Sequence, residues 1–281
     1  MAIKDILLPL VTYPKPTGSA AIEKSVAIGK YIGARISAIE MIVKPATPYA
    51  GTFILNDLST VEATESQKLL HLAEEMLQAF EKAVRSSQIA HEQRLVRCTT
   101  EDVTSVLIES ARLRDLTLVA IRAYDGPQEK FIEALIFESG RPILIFSEEL
   151  ADSLPSSFDH VAIAWDHSQH AARAVADALP LLQNAKIIRV FAVTDNRTAA
   201  ELESGAALTR HLAEHGIKAT FETIKSGDSS VGTVMDAYVK TNNVDLLVMG
   251  AYGRSRLKEF IWGGATYTIL GQPPCWVMMS H

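Results

Sequence analysis

The chain runs to 281 residues, 48% of them hydrophobic and 21% charged, with a net charge of −6. That length admits two domains of average size, and the composition argues against extended disorder. The acidic balance argues against a general nucleic-acid or anionic-membrane binder, since both surfaces attract a basic face.

The N-terminus lacks the long apolar stretch of a signal peptide. No run of about 18 apolar residues marks a membrane span. Cys98 and Cys275 form neither a disulfide framework nor a zinc spacing. The expectation is a soluble, cytoplasmic protein without membrane or nucleic-acid partners.

Taken in chain order, the predicted elements fall into two copies of one plan. A first apolar run at residues 6–11 follows Lys4 and Asp5, and an Ala-rich helix is predicted over Ser19–Ile32. A second apolar run, residues 35–43, follows Ala34. Residues 44–67 hold Pro45, Pro48 and Gly51 without a clear period, and read as an inserted loop. A helix with one apolar side follows over residues 69–84. The first copy ends on Asp115-Leu116-Thr117-Leu118-Val119 and then Gly140-Arg141-Pro142 leading into residues 143–146.

Residues 148–157, acidic and serine-rich around Pro155, separate the copies. The second copy opens on the apolar residues 161–165, then a helical stretch over Gln169–Leu182, and an apolar run to Val193 introduced by Ala185. A helix over residues 202–214 comes next. Asp245-Leu246-Leu247-Val248-Met249 and Gly271-Gln272-Pro273 repeat the closing pattern. Ile6 and Val161 lie 155 residues apart, whereas Gly140 and Gly271 lie 131 apart, so the first copy is about 24 residues longer inside. Continuous apolar runs alternating with amphipathic helices suit parallel strands buried on both faces. The predicted fold class is α/β, with two tandem five-stranded parallel sheets. The domains are expected at residues 1–150 and 156–281. Such sheets bind ligands at the carboxyl ends of their strands, where the strand order reverses.

The chemistry concentrates after Val248. Gly250 ends a buried strand, Gly253 can turn with positive φ, and Gly263 and Gly264 precede a helical stretch at residues 265–270. A helix N-terminus offers unpaired N–H groups and partial positive charge to a phosphate. Arg254, Arg256 and Lys258 add positive potential nearby.

Gly250, Gly253 and Gly263 form Gly-x2-Gly-x9-Gly, which resembles the nucleotide-binding signature of the universal stress protein family. Asp166-His167-Ser168 looks like that family's Asp-Gly-Ser segment. Gly227-Asp228 and Met249-Gly250 resemble further family positions, and the likeness covers nearly the whole chain. It implies a tandem member with an adenine nucleotide α-hydrolase-like fold and strand order 3-2-1-4-5. It also implies a stress-response or regulatory role that involves ATP or another adenine nucleotide, with Mg²⁺ as a possible companion. By the same resemblance Asp166 meets the adenine and ribose side, and Ala192 or Val193 lines the adenine pocket. Met249, Gly250, Gly253 and Arg254 lie along ribose and phosphates, and Gly263, Gly264 and Ala265 offer backbone N–H groups. The family's Ser or Thr after the last glycine is Gly264 here. Loss of that hydroxyl contact costs about 1.5–3 kcal/mol, unless Thr266 supplies one. His167 stands in place of a glycine and narrows the pocket.

In the first copy the aspartate position falls at Val11 and Thr12, and the glycine positions at Ala120 and Ala123. Residues 132–135 replace the second glycine cluster, and Arg122 and Tyr124 stand where small residues would admit phosphate. This copy is expected to be degenerate and not to bind ATP in the family's manner. The family's dimers imply that residues 142–146 pair with residues 275–279 in an internal pseudo-dimer, with a homodimer also open.

Other chemistry is weaker. His167 and His170 near Asp166 suggest a metal pair and a metal-assisted hydrolase; solvated residues at a helix start are the plainer reading. His211 and His215 lack a His-Glu-x-x-His pattern, His160 lies too near the strand start to join, and His71 and His91 are single residues without partners. No Gly-x-Ser-x-Gly elbow, Walker A loop or Gly-x-Gly-x-x-Gly occurs, and Ser168 reads as a helix cap. No base stands beside the implied phosphates, so at most slow hydrolysis of ATP is expected. A nucleotide-independent module binding a protein or small ligand is the main alternative, with an unknown protein partner in either case.

Overall fold

The computed structural model describes residues 2–12, 15–44, 55–123, 126–194, 199–252 and 264–281, leaving aside the side chains of residues 55–66, 126, 127, 129 and 200–202. The first half runs β1 (Asp5–Val11), α1 (Ser19–Ile32), β2 (Arg35–Lys44), α2 (Leu55–Ser87), β3 (His91–Thr99), α3 (Val103–Arg112), β4 (Leu116–Ile121), α4 (Gly126–Glu138) and β5 (Ile143–Ser147). A 3-10 turn at Glu148–Leu150 leads into the second half. There follow β6 (His160–Ala164), α5 (Gln169–Leu182), β7 (Ile187–Val193), α6 (Ala199–Glu214), β8 (Thr220–Ile224), α7 (Val231–Thr241), β9 (Leu246–Gly250), α8 (Gly264–Gly271) and β10 (Trp276–Ser280).

All ten strands form one sheet in the order β3-β2-β1-β4-β5-β10-β9-β6-β7-β8. Each half has the 3-2-1-4-5 order. Pairing is parallel within each half and antiparallel only between β5 and β10, where Val277 faces Ile145 and Met279 faces Ile143. The expected pairing of the closing strands is therefore present. Because that junction is antiparallel, the carboxyl ends of the two half-sheets point in opposite directions.

Both faces are covered. One apolar layer joins Ile22, Phe80, Val175 and Leu212 from α1, α2, α5 and α6 to Leu8, Phe146, Ile163 and Trp276 of the sheet. The other joins Leu107, Leu135, Val239 and Ile269 from α3, α4, α7 and α8 to Val119, Ile145, Met249 and Val277. Strand side chains alternate between the faces, which explains why the strands read as continuous apolar runs. At the junction Trp276 is fully buried, 4.5 Å from the Phe146 ring and 6.1 Å from that of Phe158. Its indole N–H donates to the Pro155 carbonyl at 2.9 Å.

The repeated aspartate at the start of β4 and β9 has a structural task. Asp115 Oδ2 accepts the N–H groups of Lys4 and Asp5, and Asp245 Oδ2 those of Asp159 and His160. Each carboxylate ties the central strand pair of its half at the amino end. Helix α1 ends at Gly33, whose φ of +74° suits glycine and whose N–H donates back to Gly29 and Lys30.

The expected loop at residues 44–67 is corrected in part. From Leu55 onward the chain is already in α2, which runs for 33 residues. The proline and glycine breakers all precede Leu55, and residues 55–67 contain neither, so nothing there interrupts a helix. Residues 45–54 lie outside the described residues.

Glu40 is 3% exposed in β2, level with Leu10 and Leu95, and its Oε1 has no hydrogen-bond partner among the described residues. Burial, reinforced by the Glu81 carboxylate, pushes its carboxyl from 4.5 up to about 6. The folded state thus holds this proton more tightly than the unfolded chain does. The resulting stability is fully present below pH 4.5 and is lost as pH rises through 6, an effect of about 2 kcal/mol. Urea unfolding of wild type and Glu40→Gln between pH 4.5 and 7.5 checks this. The wild type should weaken relative to the variant over that window; parallel pH profiles would refute it.

Candidate functional site

In the second half the strand order reverses at β6, which has β7 on one side and β9 on the other. The chain leaves β6 and β9 at their carboxyl ends, so the segments after Ala164 and Gly250 flank one crevice. Trp165 still donates its N–H to Phe191 of β7, and Asp166 follows, half-buried. One oxygen of Asp166 accepts the Ser168 N–H at 3.0 Å. The Ser168 hydroxyl accepts the Ala171 N–H at 3.1 Å and caps α5, as its sequence context suggested. This local network fixes the carboxylate at the strand end.

His167 adopts φ +63°, a left-handed conformation that favours glycine. Its ring is exposed, and Nδ1 is hydrogen-bonded to the Ser204 hydroxyl of α6. The same hydroxyl accepts the Trp165 indole N–H at 2.8 Å. The sequence reading did not single out Trp165 or Ser204. Nothing in their local sequence marks them, since the contact spans 39 residues.

Gly250 packs closely against α5. A Cβ there would stand 2.4 Å from the Ala171 nitrogen and 2.6 Å from the His170 carbonyl carbon. The absent side chain lets the first turn of α5 lie directly on the end of β9, a packing role. Ala192, Val193 and Met249 are all buried, with Val193 and Met249 in the same apolar layer. Gly264 opens α8, and among the described residues a Cβ added there would meet nothing within 4 Å. Ala265 is half-buried beside it. Thr266 is buried, and its hydroxyl accepts the Tyr252 N–H at 3.3 Å, so it is committed to the β9–α8 connection. Gly253, Arg254, Arg256, Lys258 and Gly263 lie outside the described residues.

The histidine pair separates. His167 precedes the cap of α5, whereas His170 is buried within the helix and stacks on His281 at 4.0 Å between ring centroids. His281 in turn meets Phe137 of α4, which also lies 4.7 Å from the Tyr252 ring. A helix of the first half therefore touches the start of the β9–α8 connection. Among the described residues no three His, Cys, Asp or Glu side chains are grouped to hold a metal.

The equivalent crevice of the first half is lined by the protein's own groups. Thr12, buried at the end of β1, donates to the Met41 carbonyl and accepts the Val43 N–H. Arg122, following β4, donates to the carbonyls of Lys15 and Pro16 and pairs with Glu148 at 3.0 Å. Glu148 also accepts the N–H of Gly18, the residue capping α1, at 2.7 Å. Glu149 accepts the Ala123 N–H and the Ser147 hydroxyl. Burial works to raise its carboxyl, yet these hydrogen bonds and Arg122 hold it below the usual glutamate value. Two carboxylates thus take backbone donors at the carboxyl end of this half-sheet. Tyr124 lies outside the described residues.

Residues 157–281 match the family model described as Universal stress protein family. Over the whole chain the fold is similar to a universal stress protein from Archaeoglobus fulgidus DSM 4304. The TM-score is 0.69 at 16% identity, with 98% of this chain and 97% of that one covered. Two Pseudomonas aeruginosa proteins, from strains UCBPP-PA14 and PAO1, are similar at TM-scores of 0.59 and 0.58. Each is 14% identical, with 99% of this chain and 93% or 92% of the other covered. At such identities the likeness is one of fold. No curated protein matches the chain.

Proposed function

We propose that residues 157–281, which match the universal stress protein family model, bind an adenine nucleotide, ATP foremost, between the ends of β6 and β9. The observation that carries the reading is Asp166, a carboxylate fixed by the Ser168 N–H at the point where the strand order reverses. A carboxylate there accepts ribose hydroxyls. The N-terminus of α8 at Gly264 offers backbone donors for phosphate, and among the described residues nothing lies within 4 Å of a Cβ placed there. Ala192, Val193 and Met249 supply apolar surface below. Gly253, Arg254 and Gly263 belong to the proposed site through the signature they complete, and Mg²⁺ would accompany the phosphates.

The first half, residues 1–150, is proposed as a degenerate domain that does not take ATP. Glu148 and Glu149 already accept backbone N–H groups there, and a polyphosphate would meet their negative charge. Among the described residues nothing stands as an evident base for hydrolysis. Binding, rather than turnover, is the proposed event, with a regulatory or stress-response consequence read by a protein partner. Among the described residues no helix is long and apolar enough to cross a membrane.

Calorimetry with millimolar ATP tests the reading. Wild type should bind saturably, and Asp166→Ala should weaken binding by roughly tenfold or more. Gly264→Ser places the family's hydroxyl in open space and should tighten binding about tenfold. Absence of saturable binding by wild type would favour a nucleotide-independent module.

A further inference from the structure

His167 is held in a left-handed backbone conformation that a glycine would adopt without strain. A side chain kept in such a conformation at a crevice mouth is a candidate for a ligand contact. Its ring is not loose. The Trp165 indole N–H can only donate, so the Ser204 oxygen accepts from it. With the Ser204 hydroxyl in turn donating to His167 Nδ1, the neutral ring carries its proton on Nε2. That atom has no partner among the described residues, and the side chain is exposed. The contact also reaches from the β6–α5 loop across to α6, the helix that follows β7. This is the side on which Ala192 and Val193 end their strand.

We propose that His167 is a specificity-determining residue of the C-terminal site, its Nε2–H donating to an acceptor on the purine of a bound adenine nucleotide. Trp165 and Ser204 are positioning residues that fix its tautomer and orientation. The inference rests on the nucleotide reading above and adds a contact which that reading does not contain. A glycine at this position would leave the base without that donor.

Two measurements on the full chain test it together. Long-range proton–nitrogen NMR of the imidazole rings should show His167 as the Nε2–H tautomer, and its Nε2 signal should move on addition of ATP. Calorimetry should show His167→Gly, which relaxes the backbone and preserves the fold, weakening ATP binding about tenfold. Ser204→Ala should weaken it less and should mix the tautomers. Wild-type binding that is lost in Asp166→Ala but unchanged or tighter in His167→Gly would overturn this proposal, leaving the nucleotide site standing and making the ring an obstruction. A wild type that binds no ATP would overturn both.

Discussion

Residues 156–281 produced alone are expected to dimerise or aggregate rather than persist as a stable monomer. In the full chain β10 is an interior strand, paired with β9 on one side and β5 on the other. Cutting the chain uncovers a row of backbone donors and acceptors, a template for pairing. It also removes Phe146 from the face of Trp276, and the Pro155 carbonyl from its indole N–H. Val277, Met278 and Met279, fully buried in the whole protein, lose the covering provided by Leu144 and Ile145. Exposing a large apolar side chain costs about 1.5–3 kcal/mol, so several such losses rival the stability of a small domain. An antiparallel pairing of two β10 strands would restore the junction with a second copy. Analytical ultracentrifugation of the isolated half should report a dimer or larger species. A well-behaved monomer would show that the junction is not needed to protect β10.

Gly250→Ala should destabilise the protein and disturb the crevice, whereas Gly264→Ala should do neither. A methyl group at 250 collides with the backbone of His170 and Ala171, and backbone in the capped first turn of α5 cannot rotate away as a flexible side chain would. Helix and strand must separate, at a cost of about 1–3 kcal/mol. The same movement displaces Ser168 and with it the hydrogen bond that fixes Asp166. At 264 the added methyl meets none of the described residues at the start of a helix, where alanine is at least as favourable as glycine. Thermal unfolding of the two variants compares them directly. Equal melting temperatures would mean that α5 tolerates the displacement.

Much of the fold was legible because its signals are local. Helix α1 and helix α5 run over Ser19–Ile32 and Gln169–Leu182, the stretches marked by their Ala-rich pattern and, for α5, by the cap Ser168. The family resemblance anticipated the β5–β10 pairing. Helix α2 was under-read because Pro45, Pro48 and Gly51 coloured the reading of residues beyond them. Asp115 and Asp245 were noticed as a repeat, but their shared task of tying the strand pair at its amino end became visible only with the strands side by side.

The candidate site divides along the same line. Asp166 and Ser168 are two positions apart and the glycine spacing is a local pattern, so both are visible in the sequence, whereas their assignment to one site comes from the family resemblance. The partners that shape it are distant. Ser204 lies 37 residues from His167, and Phe137 reaches Tyr252 from the other half. Glu148 meets Gly18 across 130 residues. By itself the sequence determined two α/β copies and their alternating strands and helices, because backbone periodicity and helix capping are set by residues a few positions apart. Only the tertiary structure decided that Gly250 serves packing, that His167 is strapped to α6, and that the first half lines its crevice with its own carboxylates. Those outcomes depend on which surfaces the sheet brings together, and the chain encodes them through burial and shape rather than through any contiguous motif.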